Sequence, residues 1–449
     1  MGVSNVSDQP ARLLNRNYAL LWQGKFLSRI GINAMSMVIL LWIKEATGSA
    51  TLMGLVAMLS GIPSIIFGML GGVVADTYSR RGIILWADAI KGVATVLLAV
   101  LFFVSPENVG LLTITICVLN GAGAVLDAFA TPALAAAIPD LVPKKNLAQA
   151  NMLGQLSVQL SVFLGQGFGG MLFRLAGPFT VSVGTAIAQF WSALSVLMIR
   201  IPQPHRDVAA PKREWRAQRD HFVTEMRSGI AYVMNEAGLK QLVIASMLLS
   251  FFGGLVMILL PYLAIDHLKQ QPDWVGFLSA GFGIGSLIGF IAAGVLRLGG
   301  KARSAVLLFL MFLNAAIVAS LGFILAPTAT LLMIGLSALI GGFITVNLTT
   351  IVQMNTPSEI RGRVFGVLST LSGGLGPLGM GLGGAVFDLT GQNITMTYLA
   401  CGVVMAGVIL QLATSARLRK YLSQEFTSQP QPIIEPIPVE RDTHGERRT

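Results

Sequence analysis

The sequence predicts an all-α membrane protein with twelve transmembrane helices in two pseudo-twofold-related six-helix bundles. Three observations carry that prediction. Of 449 residues, 54% are apolar and 12% charged, with a mean hydropathy of +0.71, which excludes a water-soluble chain. Apolar runs long enough to cross a hydrocarbon core, which takes about 20 helical residues, recur along the whole chain. The two halves also repeat one another. The runs lie near 18–43, 51–75, 83–104, 110–137, 150–173, 178–200, 240–265, 274–298, 304–325, 329–353, 365–387 and 394–415, and none alternates with the period of a strand.

Taken in order, residues 1–17 form a short N-terminal segment and 18–200 a first bundle. The first span is too long for a signal-peptide core and lacks a small-residue cleavage site, so it is expected to stay. Residues 201–239 are the longest polar interruption. They open with Pro202, Pro204 and Pro211, then set Trp215, Phe222, Met226 and Val233 on one helical side amid Arg213, Arg216 and Arg219. This suits an amphipathic helix on an anionic membrane surface. Residues 240–416 form the second bundle, and the polar, proline-bearing tail 417–449 is expected to be disordered.

Basic residues fill every second loop: Arg12 and Arg16, Arg80 and Arg81, Lys144 and Lys145, Lys301 and Arg303, Arg361 and Arg363, then Arg417, Arg419 and Lys420. The opposite loops hold Lys44, Arg174 and Lys269. Positive loops stay inside, so both termini are expected in the cytoplasm of a cell-membrane (inner-membrane) protein. The net charge of +10 thus reflects topology, and no basic face on a soluble module speaks for nucleic acid. Cys117 and Cys401 lie within apolar spans, against a disulfide or metal role.

Repetition shows at a constant offset of 214. Pro143 and Pro357, Gly165 and Gly379, Gly167 and Gly381, Gly169 and Gly383, Gly170 and Gly384, and Gly177 and Gly391 all coincide without a gap. Such a duplication places a site between two bundles near the midplane. Gly165-x-Gly167-x-x-Gly170 matches a dinucleotide fingerprint literally, but it sits inside an apolar helix rather than at a strand–helix turn. No nucleotide site, cofactor, metal cluster or catalytic set is expected.

The hairpin from Gly71 to Gly82 runs from a glycine-bearing apolar stretch into an acid and an arginine pair. It resembles the loop between helices 2 and 3 of major facilitator superfamily transporters, G-x-x-x-D-[RK]-x-G-[RK]-[RK], matched at Gly72, Asp76, Arg80 and Arg81. Thr77 and Ser79 replace the usual base and glycine. The resemblance implies the major facilitator fold and a conformational gate in which Asp76 meets the N-terminus of span 11 near Arg363. In span 5, Gly165, Gly169 and Gly170 resemble the helix-packing signature of the superfamily's antiporters, with Gln166 in place of a proline. In span 4, Asn120-Gly121-Ala122-Gly123-Ala124 resembles the tail of a motif whose arginine position here holds Cys117. Thr131-Pro132-Ala133 and Ile138 through Pro143 resemble the branch containing enterobactin exporters and macrolide efflux proteins. That implies secondary active efflux of an amphipathic small molecule, a drug-like compound or a siderophore, with protons as coupling ion, lipids around it and a monomeric unit. Facilitated uptake, lipid flipping or a non-transporting sensor on the same fold stay open.

Ionisable residues at membrane depth are the functional candidates, since each is costly unless paired or wet. Arg29 and Asp127 each sit roughly 16 Å deep, counted at 1.5 Å per residue. Arg29, Asn33 and Ser36 share one face of span 1, and Asn120, Asp127 and Thr131 one face of span 4. We expect these faces to line a polar cavity in which Arg29 and Asp127 pair, either to bind substrate and couple protons or as a static structural pair. Asp88 and Lys91, three residues apart, are read as a local pair reaching toward the interface, and Lys25 likewise.

Overall fold

Helix starts are set by capping side chains. In the computed structural model, which describes residues 15–199, 224, 226–296 and 298–423, Asn15, Ser49, Ser79, Asn108 and Asn393 each accept a backbone N–H in the first turn of the helix that follows. The elements are α1 (Arg16–Thr47), α2 (Ala50–Thr77), α3 (Arg80–Val104) and α4 (Val109–Leu141). Next comes Leu147–Leu197, which Gly177 breaks into α5 (147–176) and α6 (178–197). A helix over 226–235, α7, precedes α8 (Ala237–Ile258), which runs on through Leu260–Tyr262 into a single π-turn, Leu263–His267. Then follow α9 (Asp273–Val295), α10 (Gly300–Ser320), α11 (Pro327–Asn355), α12 (Ser358–Leu389), α13 (Ile394–Thr414) and the short α14 (Ala416–Leu422). Among the described residues eleven stretches are long and apolar enough to span a membrane, the break at Gly177 divides one of them, Gln149–Leu197, into two and so gives twelve spans, and no strand occurs.

Glycine positions repeat in space as they do in sequence. A Cβ on Gly165 or Gly169 would strike α1 at Asn33 or Met37, and one on Gly379 or Gly383 would strike α8 at Phe251 or Leu255. These contacts hold each half together. A Cβ on Gly167 or Gly170 would meet α9 or the loop before it, and one on Gly381 or Gly384 would meet α2, so these join the halves. Gly177 and Gly391 both take a left-handed φ, 71° and 72°, where the chain turns back. The duplication is therefore structural, with α2 and α12 exchanging roles with α9 and α5.

Several expectations need correction. The tail begins later than residue 417, because Tyr421 and Leu422 of α14 are buried and Arg303 donates to the Leu422 carbonyl at 3.0 Å. Arg303 is accordingly a buried helix residue, 2% exposed, rather than a loop charge. The linker face reaches the bundle rather than a membrane surface at its end: Val233 is buried, Met226 packs on the core, and Gly229 lies against the Arg363 backbone. Trp215 and Phe222 lie outside the described residues.

Steric fit at the paired glycines gives a direct expectation. Gly165→Val and Gly379→Val each force a backbone shift, so each should destabilise by about 1–3 kcal/mol. Thermal unfolding in detergent should show both midpoints falling, while Gly154→Ala, with nothing within 4 Å of its added carbon, leaves the midpoint within a degree or two or raises it.

Candidate functional site

Five charged side chains meet inside the first half. The Lys25 ammonium donates to Asp88 at 2.6 Å, and the Ser192 hydroxyl donates to the same carboxylate oxygen at 2.7 Å. Lys91 donates to Asp127 at 2.7 Å and lies 3.8 Å from Asp88. Arg29 stands within electrostatic reach of both carboxylates, yet its guanidinium hydrogen-bonds to no side chain or carbonyl among the described residues. Three cations thus face two anions. Two unpaired carboxylates here would each cost several kcal/mol, which explains why every acid has a cation beside it.

This arrangement corrects the expected pairing. Asp127 pairs with Lys91 rather than Arg29. Asp88 does not reach for the interface: it is 1% exposed and held between α1 and α6. Lys91 lies about 16 Å into α3, far too deep for a surface role. Asp127, by contrast, is 49% exposed, so it is the carboxylate of the network that water or cargo can reach. Asn33 donates to the Arg29 carbonyl, and Asn120 accepts from Ser60 while donating to the Ile116 carbonyl, so both stay on the expected faces.

A cavity of about 650 Å³ lies in the second half, away from the charges. Among the described residues its walls come from α8, α9, α10, α11, α12 and α13, Gln159 of α5 is the single lining residue from the first half, and no Asp, Glu, Lys, Arg or His lines it. Sequence reasoning missed it because neutral serines, threonines and phenylalanines look like ordinary helix packing.

The two halves meet at the face opposite the chain termini, which we term the distal face. Asp388, at the end of α12, accepts from the backbone N–H groups of Ala50 and Thr51 at 3.1 and 2.8 Å and from the hydroxyls of Ser49 and Thr51 at 3.0 and 2.7 Å. It caps the positive end of α2. Lys44 pairs with Asp266 at 2.9 Å, and Arg174 grips Asp273 with two bonds of 3.0 and 2.8 Å. The acids of this seal all come from the second half and their partners from the first. Tyr262 adds a 2.8 Å bond to the Gly48 carbonyl beneath the Lys44 ammonium.

The α2–α12 contact runs from Ala50 and Gly384 through Gly61 and Pro377 to Ile65 and Gly374, and toward the terminal face added carbons on Gly68, Gly72, Gly366 and Gly373 would meet no described atom within 4 Å. Gly72 is thus no close-packing point in this state; its neighbour Gly71 is, against the Ala128 carbonyl. The Asp76 carboxylate lies outside the described residues. Arg80 donates to Asp140 at 2.6 Å and to the Ala136 carbonyl at 2.9 Å, Arg81 to the Val196 and Leu197 carbonyls, and Arg363 to Ser228 at 3.3 Å. These arginines close helix C-termini and hairpins within each half.

Two repeated six-helix halves, joined by charged contacts at one face and holding a cavity walled by membrane-spanning helices, suit an alternating-access transporter. The model of the family described as transmembrane secretion effector matches residues 8–444. The chain belongs to that family, within the major facilitator superfamily. It is a membrane transporter and not an enzyme. It is 24% identical over 404 residues to macrolide efflux protein A of Streptococcus pyogenes, covering 87% of this chain and 95% of that protein. It is 26% identical over 401 residues to the enterobactin exporter EntS of Shigella boydii, covering 88% and 91%. A bacterial homologue of the iron transporter ferroportin in an inward-facing state shares the fold, with a TM-score of 0.64, 15% identity and coverage of 90% of this chain and all of that one.

The distal seal gives a measurable consequence. Removing a helix cap costs about 0.5–2 kcal/mol, so Asp388→Ala should raise the population open at the distal face several-fold. Spin labels at Glu45 and Lys269, with both native cysteines replaced, should show a longer distance in this variant, and an unchanged distribution would remove Asp388 from the seal.

Proposed function

We propose that this chain exports an amphipathic small molecule, a drug-like compound or a siderophore, in exchange for protons entering the cell. The observation that carries the reading is the half-exposed Asp127, held by Lys91 at membrane depth beside Arg29, which faces both carboxylates without hydrogen-bonding to either. A carboxylate that trades a cation for a proton changes the charge of its cavity by one, and that change biases which conformation is stable. Asp88 has the opposite role: sealed by Lys25 and Ser192, it fixes α1, α3 and α6 as one rigid support.

Orientation follows from the basic loops, which put the terminal face and both termini in the cytoplasm. The described state is then open inward, ready to load cargo. Asp388 holds the outer seal, and after the switch the equivalent inner contact, Asp76 against the start of α12 beside Arg363, takes over while Gly72 lets α2 approach. Arg80 and Arg81 keep the α2–α3 hairpin rigid enough to place Asp76. Exporting function is supported by what the similar proteins are named for, macrolide efflux and enterobactin export.

Reconstituted protein with an imposed pH gradient tests this. With a radiolabelled macrolide and enterobactin as cargoes, wild type should accumulate at least one against its gradient and lose that on collapse of the pH difference. Asp127→Asn should reduce uphill accumulation at least tenfold while keeping downhill exchange. Full uphill transport by that variant would end the coupling role.

A further inference from the structure

We propose that the cavity of the second half is the cargo site, and that it takes an uncharged, ring-bearing amphiphile that donates hydrogen bonds to the wall; this rests on the transport reading above. The volume of about 650 Å³ suits one small molecule. With no ionisable side chain in the lining, an ionic cargo would shed water without gaining a counter-charge, so charged groups are selected against. Phe252, Phe282, Phe290 and Phe365 offer flat apolar surface for rings.

The polarity of the wall is set by how its hydroxyls are already used. Ser246 donates to the Leu242 carbonyl at 3.0 Å, Thr345 to Gly341 at 2.8 Å and Thr349 to Thr345 at 2.8 Å. Each has spent its one proton inside its own helix and keeps lone pairs for a ligand. Asn314 and Ser337 likewise close on each other, the amide donating to the Ser337 carbonyl at 2.9 Å and the hydroxyl to the Asn314 amide oxygen at 3.3 Å. These five side chains thus offer more acceptors than donors and favour a cargo that donates to them. Ser250, Ser286 and Gln159 line the same space with polar groups that hydrogen-bond to no described residue.

Gln159 has a second consequence. As the first half's single lining residue, it lets one bound molecule touch both halves at once. Occupancy is thereby linked to their relative position, and Gln159 is a specificity and positioning residue.

The test uses purified full-length protein in lipid nanodiscs and three fluorescent probes with the same rings. N-phenyl-1-naphthylamine is neutral with one N–H donor; its N-methyl derivative lacks the donor; 8-anilino-1-naphthalenesulfonate keeps the N–H and adds a negative charge. The neutral donor probe should bind saturably above empty nanodiscs, the N-methyl derivative about fivefold more weakly, and the sulfonate at least tenfold more weakly. Ser286→Trp, which fills the cavity, should abolish saturable binding, and Gln159→Ala should weaken it about fivefold at an unchanged unfolding midpoint. Asp127→Asn, which mimics the protonated carboxyl, should bind the neutral probe more weakly but still saturably, with the order of the three probes unchanged. Equal binding of neutral and sulfonated probes, or binding that survives Ser286→Trp, would overturn the proposal. So would loss of binding in Asp127→Asn, which would put the cargo at the charged network. Failure of pH-driven accumulation with these binding results intact would count against proton coupling and leave the cargo site standing.

Discussion

Every charge inside this molecule must find an opposite charge or water, because the surrounding hydrocarbon supplies neither. That constraint shapes the first half. Asp88 is tolerated because Lys25 and Ser192 satisfy it, and Asp127 because Lys91 does. The two carboxylates have nearly the same neighbours but unlike access to water, 1% against 49% exposed. One is fit for holding helices together and the other for exchange. The second half solves the same problem by excluding ionisable groups from its cavity altogether. The charged network and the cavity without ionisable lining thus lie in different halves of a duplicated structure.

Duplication also supplies the means of switching. Asp388, at the C-terminal end of α12, caps α2 at the distal face, and in the proposed cycle Asp76, in the last turn of α2, takes the equivalent part toward α12. A helix N-terminus attracts an anion over a single turn, so such a contact is strong when made and absent when the ends part. Two contacts of this kind at opposite faces cannot both be made by rigid halves that rock. The seal at the distal face is reinforced by Lys44–Asp266 and Arg174–Asp273, so opening it separates three carboxylates from their partners together.

Much of the fold was legible in the sequence because hydrophobic length and glycine spacing are local properties. Twelve spans, the loop at Gly177 and the equivalence of Gly165 with Gly379 follow from counting. The site was legible in part. Depth singled out Arg29 and Asp127, but a partner on a neighbouring helix cannot be read from spacing, and the i, i+3 proximity of Lys91 to Asp88 hid its bond to Asp127. One signal was available: Lys91 is as deep in its span as Arg29 is in its own. Asp388, Asp266 and Asp273 were passed over because acids at helix ends look like solvated loop charges, and their partners lie in the other half. Gln159 and the hydroxyls of the cavity carry no sequence signal at all, since each is ordinary for a helix and acquires meaning from the space it faces.

The central claim is that Asp127 exchanges its proton as cargo arrives. Linkage makes the effect reciprocal: a cargo that favours the proton-free state must release the proton, and the proton must weaken the cargo. Infrared difference spectroscopy of the reconstituted protein at acidic pH, on adding cargo, observes this directly. The account predicts loss of a protonated carboxyl band, assigned to Asp127 by its absence in Asp127→Asn. Cargo binding and uphill transport with that band unchanged would contradict it.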